Sequence, residues 1–260
     1  EQCLRVPGPS FMPMIAADLT GAVFILTTFK FWIPALVAMV LATVSIMVWL
    51  WRGTAVIPEK PEKNVGLGLS LPLYVSGPKS TGWWAMFITM TGHAMAFVGL
   101  AFGYMFYFTI HADFPPLGMA GPGVLWPSLS LGLFGAAWAA SLGARNLNRA
   151  GRVGIARGLM AAGSLLSLGA GAALLWGPWT FGLNPADHVY PATVWVLAIW
   201  TAVHAAVGSL MLGYCLARSV FGRMTPHHDA DISNVALYWH FMFATALVTV
   251  TLLALFPMLV

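Results

Sequence analysis

Apolar residues run along this chain in long blocks separated by short polar stretches. The blocks are about 20 residues long, the length that crosses a bilayer core of about 30 Å as a helix. We read seven of them, at 12–29, 31–51, 82–110, 122–143, 153–176, 189–219 and 232–257. Inside lipid every backbone polar group must be paired within the chain, which leaves helices or a closed barrel. Barrel strands are about 10 residues long and alternate polar with apolar; these blocks are longer and apolar all round. The expected fold is an all-α membrane protein of seven transmembrane helices. A tight link at Lys30 joins the first two spans, with Pro34 just inside the second. The one long polar stretch, from Arg52 to about Ser80, holds Pro58, Glu59, Lys60, Pro61, Glu62 and Lys63. It divides the chain into an N-terminal tail with helices one and two (1–52), a polar connecting segment (53–80) and a five-helix bundle (81–260).

Composition agrees with a membrane interior. Of 260 residues 59% are hydrophobic and 8% charged, against about 25% charged in an average soluble domain. The net charge of +4 is no nucleic-acid signal, because the cations sit in short loops beside apolar segments. Arg5, Arg52, Lys60, Lys63, Lys79, Arg145, Arg149, Arg152, Arg157, Arg218 and Arg223 fall on one side of the expected topology and only Lys30 on the other. Cytoplasmic loops carry the excess of Lys and Arg, so the N-terminus is expected inside and the C-terminus outside. The two cysteines, Cys3 and Cys215, lie far apart and suggest neither a disulfide framework nor a zinc site. The chain opens on Glu1, which suggests a trimmed N-terminus or a segment of a longer polypeptide.

Ionisable residues placed within a membrane are costly and therefore the first functional candidates. Asp18, His93, His204 and His240 fall inside spans, and His111, Asp187, His188 and Glu59 near the interfaces. The three intramembrane histidines lie on three different spans, whereas a haem and copper centre would need several clustered ligands. His227 and His228 are adjacent but share a polar loop with Asp229 and Asp231, which reads as solvated. We therefore expect no catalytic residue, no metal ligand set and no redox centre in the chain. His204 and Gly208 share one helical face, where a neutral His bonding across helices explains the pattern; His240 reads the same way. Gly132, Ala136, Ala140, Gly158, Ala162, Gly169 and Gly171 are expected to let helices four and five pack closely.

Several motifs, in order, resemble subunit III of the haem–copper oxidases, especially cytochrome c oxidase. The run Asp187-His188-Val189-Tyr190-Pro191-Ala192-Thr193 is similar to the family's Asp-Gly-Val-Tyr-Gly-Ser-Thr, and His204, Gly208, Ser209 and Arg218 follow at the family's spacing. The last span opens on Tyr238-Trp239-His240-Phe241, the second ends on Trp49-Leu50-Trp51-Arg52, and Pro13 opens the first. Leu71-Pro72-Leu73-Tyr74-Val75-Ser76-Gly77-Pro78 resembles bacterial chains in which subunits I and III are fused. Two departures stand out. The family's acid in the third helix aligns with His93, and the acid early in the last helix is replaced near Ser233 and Asn234.

The resemblance implies a non-redox accessory subunit in the bacterial inner membrane, part of a proton-translocating respiratory oxidase. It packs on subunit I beside subunit II, which hold the haem and copper; cytochrome c or quinol reaches the complex only through them. It stabilises the catalytic subunit, supports proton uptake and holds phospholipid in a V-shaped cleft between the two helical units. Trp51, Arg52, His93 and Arg218 are the lipid-binding residues so implied, and Asp187, Tyr190, His204, Gly208 and His240 the polar and small residues of helix packing. His93 is expected to serve packing or lipid contact without a part in proton delivery. A subunit III-like component of a quinol oxidase or nitric oxide reductase is the nearest alternative. A secondary transporter is more distant, because no internal repeat is visible.

Overall fold

The computed structural model describes residue 3 and residues 8–53, 57–58 and 60–258; Arg5 and Glu59 lie outside the described residues. Among the described residues seven α-helices follow one another: α1 Met12–Thr28, α2 Trp32–Gly53, α3 Thr81–Ile110, α4 Leu125–Arg149, α5 Val153–Thr180, α6 Val189–Val220 and α7 Ala230–Val250. The last continues through one π turn, Thr251–Leu255, and a 3-10 turn, Phe256–Met258. Six of these, α2 to α7, are long and apolar enough to cross a membrane, and α1 is a shorter apolar helix of 17 residues. The chain is thus an all-α membrane protein in its main architecture. The span 122–143 shifts to Leu125–Arg149: Gly123 holds φ +69° before the helix, and the helix runs on through its polar, arginine-bearing tail.

The chain folds as two compact units, Glu1–Tyr74 and Val75–Val260. In the first, α1 and α2 form a helical hairpin turning at Lys30, a non-glycine residue with φ +61°. Its buried residues are small: Ala16 on α1, and Ala35, Ala38, Ala42 and Ser45 on α2 at alternating three- and four-residue spacing. The polar connecting stretch carries structure that its composition does not announce. Strands β1 (Glu62–Gly66) and β2 (Leu69–Pro72) pair antiparallel. Gly66, Leu67 and Gly68 all have positive φ and make the turn, and the Asn64 side chain accepts a hydrogen bond from the Gly66 amide. Glycines are the residues that enter this backbone region without steric cost.

The second unit is built on a seam between α4 and α5. Among the buried positions, α4 carries the series Pro127, Ser130, Phe134, Ala137, Ser141, Ala144 and Asn148, and α5 the series Ala156, Met160, Gly163, Ser167, Ala170, Leu174 and Gly177. Both series alternate steps of three and four. This seam corrects the expected set of packing residues. Ala140 and Gly171 are buried, but Gly132, Ala136, Gly158, Ala162 and Gly169 are exposed. Ala136, Ala162 and Gly169 each stand one residue from a buried position, about 100° around a helix, and Gly132 and Gly158 stand two residues away. The close approach of α4 to α5 is made at Gly163, where an added Cβ would lie 3.4 Å from the Ala140 Cβ, while Gly171 meets α6, where it would lie 3.5 Å from the Ala202 backbone. Hydroxyls join the helices: Ser130 donates to the Ala170 carbonyl, Ser167 to the Ala205 carbonyl, and the Ser164 and Ser209 hydroxyls share a hydrogen bond. Such bonds satisfy polar groups that lipid would leave bare.

Candidate functional site

Mid-span in the second unit, α3 and α6 are joined by two imidazoles. His93 Nδ1 lies 2.9 Å from His204 Nε2, and His204 Nδ1 lies 2.8 Å from the Trp200 carbonyl oxygen. A carbonyl only accepts, so His204 Nδ1 carries the hydrogen. The neutral ring then offers its Nε2 lone pair, and the bond between the rings is donated by His93 Nδ1. His93 Nε2 is left as an acceptor. The His204 carbonyl in turn accepts from the Tyr238 hydroxyl of α7. Gly208, one turn further along α6, lies against the same helix: a Cβ there would stand 3.0 Å from both the Tyr238 and Trp239 rings. His93 and His204 are therefore a coupled pair, where the sequence suggested separate residues on separate spans. One spacing signal existed, since His204 and Gly208 share a face; nothing in the sequence tied His93 to that face.

Of the other expected site residues, His240 accepts a hydrogen bond from Trp138 Nε1 at 3.1 Å and so joins α7 to α4. Tyr190 is fully buried at the start of α6, and its hydroxyl has no hydrogen-bond partner among the described residues. Asp187 is exposed and accepts from Asn184 in its own loop at 2.7 Å, which spends its carboxylate within the loop instead of on helix packing. Arg218 is buried, its side chain 6% exposed and 3.1 Å from Asp231, and it also donates to the Arg223 carbonyl. A lipid phosphate would reach that guanidinium only by competing with Asp231. Trp51 and Arg52 end α2 in the first unit, Trp51 half-buried and Arg52 exposed.

Around Arg218 lies a polar cluster that sequence reasoning missed. All seven cations of the second unit, Lys79, Arg145, Arg149, Arg152, Arg157, Arg218 and Arg223, belong to the end where α3, α5 and α7 start and α4 and α6 finish. Arg149 binds Asp229 at 2.5 Å and Ser233 at 2.9 Å; Arg157 binds the Ser219 hydroxyl and carbonyl. The segment around His227–Asp231 is solvated only in part: His227 is exposed, whereas the Asp229 side chain is 3% exposed. Burial alone would raise the Asp229 carboxyl, but hydrogen bonds from Ser76, Arg149 and Ser233 outweigh it and hold the pKa below the usual carboxylate range. Burial and the neighbouring His227 hold His228 below the ordinary histidine range, with Asp229 acting against them. The signal available in the sequence was the pairing of acids just before α7 with arginines ending α4 and α6.

At the opposite end, His111, Asp113 and His188 come together. One ligand atom from each lies within 4.8 Å of the others, and His188 Nε2 is 3.6 Å from an Asp113 carboxylate oxygen.

No family model matches the chain. Among curated proteins it is similar to cytochrome c oxidase subunit 3 of Branchiostoma lanceolatum, 39% identical over 57 residues, which is 22% of this chain and 22% of that protein. The same 57-residue extent, again 22% of each chain, is 37% identical in cytochrome c oxidase subunit 3 of Gallus gallus and 35% identical in that of Papio hamadryas. The likeness therefore spans 22% of the length of these curated relatives.

Proposed function

We propose that this chain serves as the third subunit of a cytochrome c oxidase, an accessory membrane chain that steadies the catalytic subunit and supports the proton uptake coupled to oxygen reduction. The observation that carries this reading is the 57-residue likeness to proteins of that name in several animals. The helices support it: six are long and apolar enough to cross a membrane. The polar side chains inside the second unit are largely spent on one another, as befits a chain that holds shape while partners do the chemistry. In this reading haem and copper sit in subunits I and II, and electrons pass through those chains alone. The chain lies in the bacterial cytoplasmic membrane with its arginine-rich loops inside. Phospholipid binds at Trp51 and Arg52, where an exposed guanidinium offers a planar fork of donors to a phosphate. Arg218, turned onto Asp231, acts in packing.

The test is capture of the full chain from its native membrane in mild detergent, followed by mass spectrometry of the co-purifying chains, a haem spectrum and oxygen uptake on reduced cytochrome c. A haem-bearing partner and uptake are expected. Capture without any haem-bearing chain overturns the reading, and uptake with quinol but not cytochrome c moves it to a quinol oxidase. Lipid analysis of the Arg52→Ala complex should show lost phospholipid, with Arg218→Ala unchanged.

A further inference from the structure

We propose that His111, Asp113 and His188 bind a divalent transition-metal ion, Zn2+ by preference, at the arginine-poor end of the second unit. The inference stands on this geometry alone and does not depend on membership in an oxidase. The three residues come from distinct places: His111 is the C-cap of α3, Asp113 follows it in the connection to α4, and His188 is the N-cap of α6. A tetrahedral zinc with bonds of about 2.0–2.2 Å holds its ligand atoms about 3.3–3.6 Å apart. The His188–Asp113 pair, at 3.6 Å, already stands at that spacing. No ligand atom is more than 4.8 Å from another, so side-chain rotation at His111 and Asp113 closes the set.

The backbone beneath the cluster is clamped. Phe114, next to Asp113, and Tyr190, two residues beyond His188, are both buried with their ring centroids 5.1 Å apart, edge to face. Tyr104 of α3 packs on the same two rings, 5.2 Å from Phe114 and 6.4 Å from Tyr190. The two segments that carry the ligands are thereby fixed to each other before any ion arrives, which is the preorganisation a metal site needs.

Donor chemistry selects the ion. Two imidazoles and one carboxylate suit Zn2+ and its first-row neighbours, whereas Mg2+ and Ca2+ take oxygen ligands. Three protein ligands leave a fourth position for water. Coordination also has a local consequence. His188 Nδ1 accepts the Tyr190 amide at 3.1 Å, which places the neutral ring's hydrogen on Nε2, facing Asp113. When Nε2 binds the ion, that hydrogen moves to Nδ1 and the cap bond to Tyr190 is given up.

The experiment is calorimetric titration of ZnCl2 into the full chain, purified in detergent without a polyhistidine tag and stripped of metal. About one saturating ion per chain is expected, with affinity weakened about tenfold or more in Asp113→Asn, His111→Gln and His188→Asn. Asn is itself a good N-cap residue, so His188→Asn keeps the start of α6; helicity by circular dichroism checks this, and if it drops, Asp113→Asn, at a solvent-facing position, decides. Hydrogen exchange at the Tyr190 amide should speed up on Zn2+ binding. A His227→Gln/His228→Gln chain should bind as the parent does. No saturable binding below about 1 mM, equal binding of Mg2+, unchanged affinity in all three ligand variants, or loss in the His227/His228 chain would each overturn the proposal.

Discussion

The two ends of the second unit solve the same problem by different means. At the arginine-rich end, polar side chains are matched to one another: Arg149 to Asp229 and Ser233, Arg157 to Ser219, Arg218 to Asp231. At the other end, the helices are closed by rings, with Phe114, Tyr104 and Tyr190 in mutual contact and Phe108 and Phe256 packed alongside. Its polar groups stand outside that packing: the side chain of Asp113 is 61% exposed and that of His188 21%. The contrast teaches that buried charge is safe only where its partner is built in, and that groups left at a rim are available to something else.

The comparison can be broken most forcefully at the aromatic end. Phe114→Ala removes a buried ring and should cost about 3–4 kcal/mol, read as a lowered unfolding midpoint in detergent. The ionic end should lose about 3 kcal/mol in Arg149→Ala, because a buried carboxylate loses its cation. Asp229→Asn should cost less: the orphan is then Arg149, whose side chain is 46% exposed and open to water. Equal losses in the two variants would mean that the pair, rather than the buried acid, sets the energy.

Acid should separate the ends further. The Asp229 carboxyl is held below its ordinary value, so the stability it contributes is fully present above the unfolded pKa of about 3.9 and is lost as pH falls through the lower folded value. Unfolding midpoints measured against pH should therefore drop below about pH 4, and Asp229→Asn should flatten that slope. The smallest effects are expected at the rim. Asp113→Asn should cost about 0.5 kcal/mol or less without metal, as exposed polar contacts do. Tyr190→Phe should change stability by about zero, since the hydroxyl it removes has no partner among the described residues and the ring does the packing. A loss above about 1 kcal/mol there would point to a hydrogen bond made in the membrane.

How much of this was legible follows from the physics of each feature. The spans were readable because length and apolarity report directly on a lipid solvent, and the turn at Lys30 because two apolar blocks met at one cation. The hairpin at Glu62–Pro72 was not, since all five β1 residues are exposed and no buried alternation marks them. The small residues of α4 and α5 were rightly read as a seam but at the wrong phase. A helix rich in glycine and alanine on every side offers no apolar–polar contrast to set that phase. His204 and Gly208 could be placed on one face by spacing alone. The link from His204 to His93 could not, because it joins residues 111 positions apart and exists only once the helices are docked. Arg218 stands between: the acids at the start of α7 and the arginines ending α4 and α6 were both legible, but that Arg218 takes Asp231 is decided only once the helices are docked.

The α4–α5 seam has a further consequence, in the language of register. Buried positions that alternate three and four repeat every seven residues, or 3.5 per turn, slightly short of the helix's own 3.6. Two such helices stay in contact along their length by winding about each other with a left-handed twist, at a shallow angle of about 20°. The seam from Pro127 to Asn148 and from Ala156 to Gly177 is in this sense a two-stranded rope inside a membrane protein. Its vulnerability is to phase more than to composition. Deleting one residue midway along α5 would turn everything beyond it by about 100°. The half-helix after the cut would then show its neighbour the wrong face, still made of glycine and alanine. Such a variant should keep its helix content and its hydropathy while losing the meshing of side chains.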